Sequence, residues 1–388
     1  MSQHLYKSIK SDVEAALRKY RNPLNVIEGF SGPGGMSLGL QNAGFHLKYA
    51  FDISEKAVST HNANLGNHAE VKDAREVDGF KVMKALDLIP RELDVFAGGP
   101  PCQGFSKQKR GAHLGDKRNE LVLEYIRLVN EFIPKFFFFE NVAVFGQKRG
   151  KEFLRKMHEE LEAYQINAFF LNSANFGLAQ TRQRFVVVGK REDIASSFIL
   201  PEKVVDEWRT LQNVIGDLPE PPADYSCHPD FHNHQNAKVT DLNVKRFSYV
   251  PPGGGWQDIP FDLRMACHQK VDISSGGWPD VFGRLKWEGQ CPTITGGFDS
   301  FTRGRYGHPQ ADRPLTPREA ARLQGFPDHF EFHGTRGDIR SQIGNAVPPP
   351  LAEVVGTCIA RSLLCEEGLI KDSYPQSVLL EKSESIYM

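Results

Sequence analysis

Cysteine is scarce in this chain: six in 388 residues, at 102, 227, 267, 291, 358 and 365. No two of them form a CxxC pair, so a structural zinc site has little to build on. Their wide spacing in a long chain points to reduced thiols in a cytosol and not to a disulfide framework. Charge of one sign is lacking too. Forty-seven Lys and Arg stand against forty-eight Asp and Glu, a net charge of −1, so bulk composition does not advertise a nucleic-acid or membrane binder. Uninterrupted apolar runs of ~18 residues, the length a spanning helix needs, are missing. The most apolar stretch, "FIPKFFFFENVAVF" (132–145), is broken by Lys135 and Glu140. The first twenty residues are charged throughout and hold no apolar h-region, so the expectation is a protein that stays in the cytoplasm.

What is present is an ordinary globular composition, 40% hydrophobic and 24% charged, with length for two or three domains. From about 24 to 191, short apolar runs alternate with helix-like stretches. The runs are "NVIEGF" (25–30), "LKYAFD" (47–52), "AEVKD" (69–73), "LDVFAGG" (93–99), "KFFFFENV" (135–142), "NAFFLNS" (167–173) and "RFVVVGK" (184–190). Amphipathic segments at 119–133 and 151–164 lie between them. The pattern predicts an α/β fold with a doubly wound parallel sheet, which binds ligands beyond the carboxyl ends of its strands.

Residues 200–314 differ, being rich in Pro, Gly, Trp, His and Asn with little periodicity, and read as a second, loop-rich domain. Helix returns at "LTPREAARLQGF" (315–326), where Thr316 suits a cap, Pro317 the first turn and Glu319 the third position of a capping box. The segment 341–364 reads as a turn and an apolar helix that packs back on the first domain. The cluster "CHPDFHNH" (227–234) offers Cys-x4-His-x-His without a second cysteine pair, so no metal is expected there.

Two strand ends suggest a nucleoside cofactor. "FSGPGG" (30–35) is a glycine turn opening a helix, where Gly32, Gly34 and Gly35 allow close backbone approach. Ser37 stands where a dinucleotide fingerprint would carry its third glycine. Asp52 ends the next strand, placed for ribose hydroxyls, with Ile53 beside it for a purine face. Asp73 ends the third strand and can meet an exocyclic amine. The plain alternative is that Asp52 and Asp73 cap helices.

Two further strand ends suggest reaction chemistry. Cys102 in "GGPPCQGFS" follows the fourth strand on a stiff Gly-Gly-Pro-Pro mount, and Glu140 in "ENV" closes the fifth. Neighbouring strands lie ~4.8 Å apart, so both can serve one substrate. "QTRQRF" (180–185) adds Arg182 and Arg184, whose period of two sends both to one face. A thiolate that adds to carbon 6 of cytosine turns an unreactive carbon 5 into an enamine carbon. That addition is easier if ring nitrogen 3 is protonated, which asks for a carboxyl in an apolar setting such as Glu140 after four phenylalanines. Arginines favour the thiolate and hold a carbonyl or phosphate.

In this arrangement the chain closely resembles the DNA (cytosine-5) methyltransferase family from about 25 to 360. The matching motifs, in family order, are "FSGPGG", "FDIS", "GGPPCQGFS", "DKRNELVLEYIRLV", "FFFFENV", "QTRQRFVVVG", "RPLTPREAARLQGFP" and "QIGNAVPPPL". The resemblance implies Cys102 as nucleophile, Glu140 on the amidine edge of cytosine, and Arg182 and Arg184 in the same pocket. It matches Phe30, Gly32, Gly34, Gly35, Asp52, Ile53, Asp73, Pro100, Leu121, Asn345 and Val347 to positions that hold S-adenosyl-L-methionine, with S-adenosyl-L-homocysteine as product and no metal. Asp52 stands where the family usually carries Glu, and "KDAREV" lacks the usual bulky neighbour of Asp73.

The implied domains are a catalytic one of 1–192 and 338–388, a target-recognition domain of 193–314, and a linking helix of 315–337. The implied partner is double-stranded DNA, whose target cytosine must leave the stack to meet both thiolate and methyl donor. Gln103, Ser106, Lys107, Arg110 and Arg118, in the loop after Cys102, are expected on DNA, as are Arg303 and Arg305; Trp256 and Trp278 are further groove candidates. The expected setting is a monomer in a bacterial cytosol, off the membrane, paired functionally with a cognate restriction endonuclease. A tRNA cytosine-5 methyltransferase and a catalytically silent regulator are the alternatives; the long segment 200–314 speaks against the first and intact PPCQ, ENV and QxRxR against the second.

Overall fold

The computed structural model describes residues 2–101, 120–147, 150–271 and 278–372. These divide into two compact units: 1–176, 183–206 and 347–388 form unit 1, and 177–182 and 207–346 form unit 2. Cys102 and the loop residues Gln103, Ser106, Lys107, Arg110 and Arg118 lie outside the described residues.

Unit 1 holds strands β1 (Leu24–Gly29), β2 (Phe45–Asp52), β3 (Ala69–Val71), β4 (Val95–Gly98), β5 (Phe136–Val142), β6 (Tyr164–Asn172) and β8 (Gln183–Arg191). Their order in one sheet is β3-β2-β1-β4-β5-β8-β6. β1 to β5 run parallel, and β8 enters antiparallel between β5 and β6. Strands with helices over both faces need apolar side chains on both, and the phenylalanine run supplies them. Phe136 and Phe138 enter one core with Val186 and Val188, while Phe137 and Phe139 enter the other with Phe185 and Val187.

The helices of unit 1 are α1 (Ser2–Leu17), α2 (Gly35–Asn42), α3 (Glu55–Leu65), α4 (Gly79–Ala85), α5 (Glu120–Phe132), α6 (Lys151–Glu160) and, late in the chain, α12 (Pro349–Glu366). As the sequence suggests, α12 returns to this unit and packs on α2 and α1. Helix α1 was not foreseen. Its charges hide a stripe of Ile9, Val13 and Ala16, all buried, at the spacing of one helix face.

Unit 2 has few regular elements: helices α7 (Leu211–Ile215), α8 (Asp241–Phe247), α9 (Ala266–Gln269), α10 (Pro317–Leu323) and α11 (Arg336–Asn345), and a parallel pair of β7 (Gln180–Thr181) with β9 (Cys291–Pro292). Its core gathers Phe247, Val250, Trp256, Ile259, Phe282 and Phe301. Helix α10 starts in the expected capping box: the Glu319 backbone N–H donates to Thr316 Oγ1 at 3.2 Å and Thr316 N–H to Glu319 Oε2 at 2.8 Å. Arg313 adds two bonds to the same carboxylate, at 2.8 and 2.9 Å, so a fully buried Glu319 is held ionised.

Candidate active site

At the top of the sheet in unit 1, the turn after β1 runs through left-handed backbone. Phe30 has φ 58°, Gly32 φ 53° and Gly34 φ 98°. A Cβ on Gly34 would lie 2.5 Å from Leu65 Cδ1 and 2.8 Å from His61 Cδ2, so both conformation and space require glycine there. A Cβ on Gly32 would meet nothing within 4 Å among the described residues. Asp52 closes the rim. Its Oδ2 accepts from Gly32 N–H at 2.9 Å and its Oδ1 from Ser54 N–H at 2.8 Å. Burial raises its proton affinity, and those two N–H groups oppose the rise. Ile53 beside it is 70% exposed, an apolar branch held in solvent where a flat ring can cover it.

The glycine turn, an anionic rim and an exposed apolar side chain fit the adenosyl end of S-adenosyl-L-methionine. Asp73 is placed differently: it accepts from Arg75 N–H at 3.0 Å, pairs with the Arg75 guanidinium at 2.9 Å and caps a short 3₁₀ turn. Leu121 is half-buried against the core at the start of α5, and Pro100 is buried.

Beneath this turn lies a network the sequence reading passed over. A short hydrogen bond joins Ser37 Oγ to Glu28, and Ser37 Oγ also lies 2.9 Å from His61 Nε2. All three residues are buried. Burial pushes the Glu28 carboxyl up to about 8 and drives the His61 imidazole down to about 3. The signal was available: a Glu inside the apolar strand "NVIEGF", and a Ser where a glycine was sought.

The second cluster sits at the end of β5. Arg184 lies opposite Val142 in the β5–β8 register, and Glu140 opposite Val186. Glu140, Val142 and Arg184 therefore share one face of the pleat, with Arg184 diagonal to Glu140. A long side chain spans that diagonal, and Arg184 Nε reaches Glu140 Oε1 at 2.7 Å with both side chains only 9% exposed. Burial lowers the proton affinity of the Arg184 guanidinium, and Glu140 opposes that. Glu140 follows four buried rings, and its immediate neighbour is the Arg184 guanidinium.

The end of β4 is close by. A Cβ on Gly99 would stand 3.3 Å from Glu140 Oε2 and 3.8 Å from Val347 Cγ2. Asn141 Nδ2 donates to Pro100 O at 3.0 Å, tying the mount of Cys102 to the strand that carries Glu140. Glu140, Arg184, Gly99, Pro100 and Val347 are thus brought together.

In unit 2, Arg182 is fully buried and donates to three backbone carbonyls: Ile294 at 2.8 Å, Gly344 at 3.0 Å and Ala346 at 3.1 Å. Gln180 donates to Leu323 O and Gln324 Oε1 and accepts from Ile294 N–H. Asn345 is exposed, its Nδ2 3.2 Å from Ser341 Oγ. Arg303 is exposed, whereas Arg305 donates to the carbonyls of Gly253, Gly254, Pro279 and Arg284 and pairs with Asp280. Trp256 is core, stacked on His268 at 4.6 Å, while Trp278 is 75% exposed. His234, from the "CHPDFHNH" cluster, is occupied by Thr316 Oγ1 at 2.9 Å and Pro219 O at 2.7 Å.

Over most of its length the chain is similar to known proteins. The type II methylase M.HgiDII of Herpetosiphon aurantiacus is 31% identical over 352 residues, covering 89% of this chain and 96% of its own. The type II methyltransferase M1.HphI of Haemophilus parahaemolyticus is 33% identical over 348 residues, 88% of each chain. Among solved structures, a prophage-encoded DNA modification methyltransferase of Escherichia coli matches with a TM-score of 0.66 at 27% identity, over 88% of this chain and 99% of that one. The Entamoeba histolytica methyltransferase EhMeth, at 18% identity and a TM-score of 0.59 over 87% and 98% of the two chains, shares the fold. The family model for C-5 cytosine-specific DNA methylases matches residues 24–361, and the chain that carries the Glu140–Arg184 pair and the glycine turn belongs to that family.

Proposed function

We propose that this protein methylates carbon 5 of a cytosine turned out of a specific duplex sequence, through transient covalent addition of Cys102. The observation that carries the reading is the Glu140–Arg184 pair at the end of β5, beside the Gly99–Pro100 mount of Cys102. The relatives named as type II methyltransferases support a modification enzyme that accompanies a restriction endonuclease.

S-adenosyl-L-methionine, when bound, supplies an electrophilic methyl group. Gly32, Gly34, Asp52 and Ile53 would hold its adenosyl portion, with Phe30, Gly35, Asp73, Pro100, Leu121 and Val347, all of unit 1, completing the set. Cys102, as thiolate, bonds to carbon 6, and the carbon 5–carbon 6 electrons shift toward carbon 5. A proton taken up with the base and shared between Glu140 and ring nitrogen 3 neutralises the charge that would otherwise build on the ring. Arg184 fixes the carboxyl so that it faces the amidine edge. After the methyl bond forms, the hydrogen on carbon 5 leaves as a proton to solvent, the carbon 6–sulfur bond breaks, and the thiolate returns. The base must be extruded, because stacked neighbours block both faces of its ring. Unit 2, with 207–346, is the proposed target reader, and Lys107, Arg110 and Arg303 are proposed phosphate contacts.

The test is transfer of labelled methyl to duplex DNA and to tRNA, with parent and Cys102→Ser proteins. Transfer to duplex DNA by the parent, lost in the variant, is expected. Transfer to tRNA alone, or an active Cys102→Ser protein, overturns the reading.

A further inference from the structure

Unit 2 contains a polar cavity of about 570 Å³ that none of the motifs accounts for. Its wall carries three cations, Lys238, Arg336 and Arg340, against one carboxylate, Asp299. Asp299 is buried and shared: Arg336 Nε donates to it at 2.6 Å and Arg340 Nη1 at 3.2 Å. One anion therefore serves two guanidiniums, and positive charge is left over.

The leftover is visible in the hydrogen bonding. Arg336 Nη2 and Arg340 Nε are buried and have no acceptor among the described residues. Lys238 is exposed and sits 5.6 Å above the Tyr225 ring, with no carboxylate at ion-pairing distance among the described residues. The hydroxyls of Ser300 and Thr302 line the same wall. Buried charged donors are normally satisfied, so two on one cavity wall call for an acceptor brought from outside. Arginine forks suit the oxygens of a phosphate.

We propose that this cavity seats a backbone phosphate of the DNA substrate, at a place apart from the flipped cytosine. The assignment rests on the DNA reading above. A strand is favoured over a free ion because the cavity is large for one phosphate and its wall reaches the surface at exposed Lys238, Thr240 and Thr302. It also bears on the reader's internal geometry. Arg336 and Arg340 occupy one face of α11, and the last turn of that helix presents Gly344 O to Arg182. A phosphate held at one end of α11 braces the helix that Arg182 clamps at the other.

The test is duplex binding across a salt series by the parent, Lys238→Gln, Arg340→Lys and the Lys238→Gln/Arg340→Gln double variant. Each phosphate contact contributes about 0.9 to the slope of log K against log salt. The double variant is expected to bind about tenfold more weakly, with a slope shallower by about 1 to 2 and an unaltered KM for S-adenosylmethionine. Arg340→Lys, which keeps the charge, should retain the parent slope. Should the double variant not fold, Lys238→Gln, an exposed change, should still lower the slope. Parent-like affinity and slope in a folded double variant, or in Lys238→Gln if that is the readable one, overturn the proposal. Inorganic phosphate that raises the melting temperature of the parent but not of the double variant, with DNA slopes equal, assigns the cavity to a free anion and also overturns it. A shallower slope in the double variant, with a parent that methylates no duplex DNA, upholds the cavity and sinks the proposed reaction.

Discussion

In the sheet of unit 1, Phe136 to Phe139 bury four rings while β4 and β8 pair with their backbone on either side. In unit 2 the carbonyls of Phe247, Val250, His308 and Ala311 have no such ladder and converge on one buried guanidinium, that of Arg284. Arg318 does the same for His232, Pro327 and Phe330, at the cost of a guanidinium whose proton affinity burial lowers to about 10. Arg182 and Arg305 repeat the pattern. Buried backbone must be satisfied, and an irregular fold meets that demand with side chains where a sheet uses itself. The sheet presents Glu140 and Arg184 as an ion pair, with Arg184 Nη1 also donating to Gln183 O at 2.8 Å. In unit 2, these four arginines serve as mortar.

The sharpest way to separate site from scaffold is Glu140→Gln. It should lower kcat by about 10² to 10⁴, the range for loss of a general acid–base group, with a melting temperature close to the parent's. A large drop in melting temperature instead would put Glu140 among the scaffold residues. Arg284→Met tests the other side. Orphaning its carbonyls and Asp312 should destabilise unit 2 by about 3 kcal/mol or more. Proteolytic cuts should then concentrate in 207–346 while S-adenosylmethionine still binds; uniform cutting would make the two units one cooperative structure.

Smaller effects belong to the glycine turn after β1. Gly34→Ala adds a Cβ at positive φ against Leu65 and His61, at a cost of about 1–2 kcal/mol. It should raise the KM for S-adenosylmethionine about tenfold and spare that for DNA. The smallest effect is in pH. The folded proton affinity of Glu28 is raised to about 8, so its stabilising contribution is full below about pH 4.5 and is lost as pH rises through 8. That of His61 is lowered to about 3, so its contribution is full above about pH 6.5 and is lost as pH falls through 3. Glu28→Gln should flatten the alkaline side of a melting-temperature profile and leave the acid side; an unchanged alkaline limb would remove Glu28 as its source.

The sheet was legible because its signals are local and redundant. Apolar runs, acidic strand ends and a glycine turn each mark the same places, and seven runs found seven strands. Glu140 was legible as the acid that ends "FFFF", and Arg184 as the second arm of QxRxR. Its partner distance was not, because the diagonal depends on β8 running against β5, which no residue spacing announces. Unit 2 was legible only as irregular. Nothing in "TRGRYGH" says that Arg305 is bonded to four carbonyls while Arg303, two residues earlier, reaches solvent, since that depends on loops at 253–254 and 279–284. The Glu28–Ser37–His61 network joins three elements, β1, α2 and α3, and each member looks unremarkable within its own.

The reversal of β8 also fixes when the charge pair can come into being as the chain is made. Strands β4 and β5 can pair as soon as residue 142 has emerged, but β6 has no neighbour of its own in the sheet until β8 is inserted between it and β5. Arg184 is the second residue of that inserted strand and Glu140 the fifth of β5. A chain halted before 183 would hold the glycine turn, Asp52 and Glu140, yet the carboxylate would lack its cation. The charge pair is completed by the last strand to enter the sheet, so the turn after β1 and Asp52 are made before the pair exists.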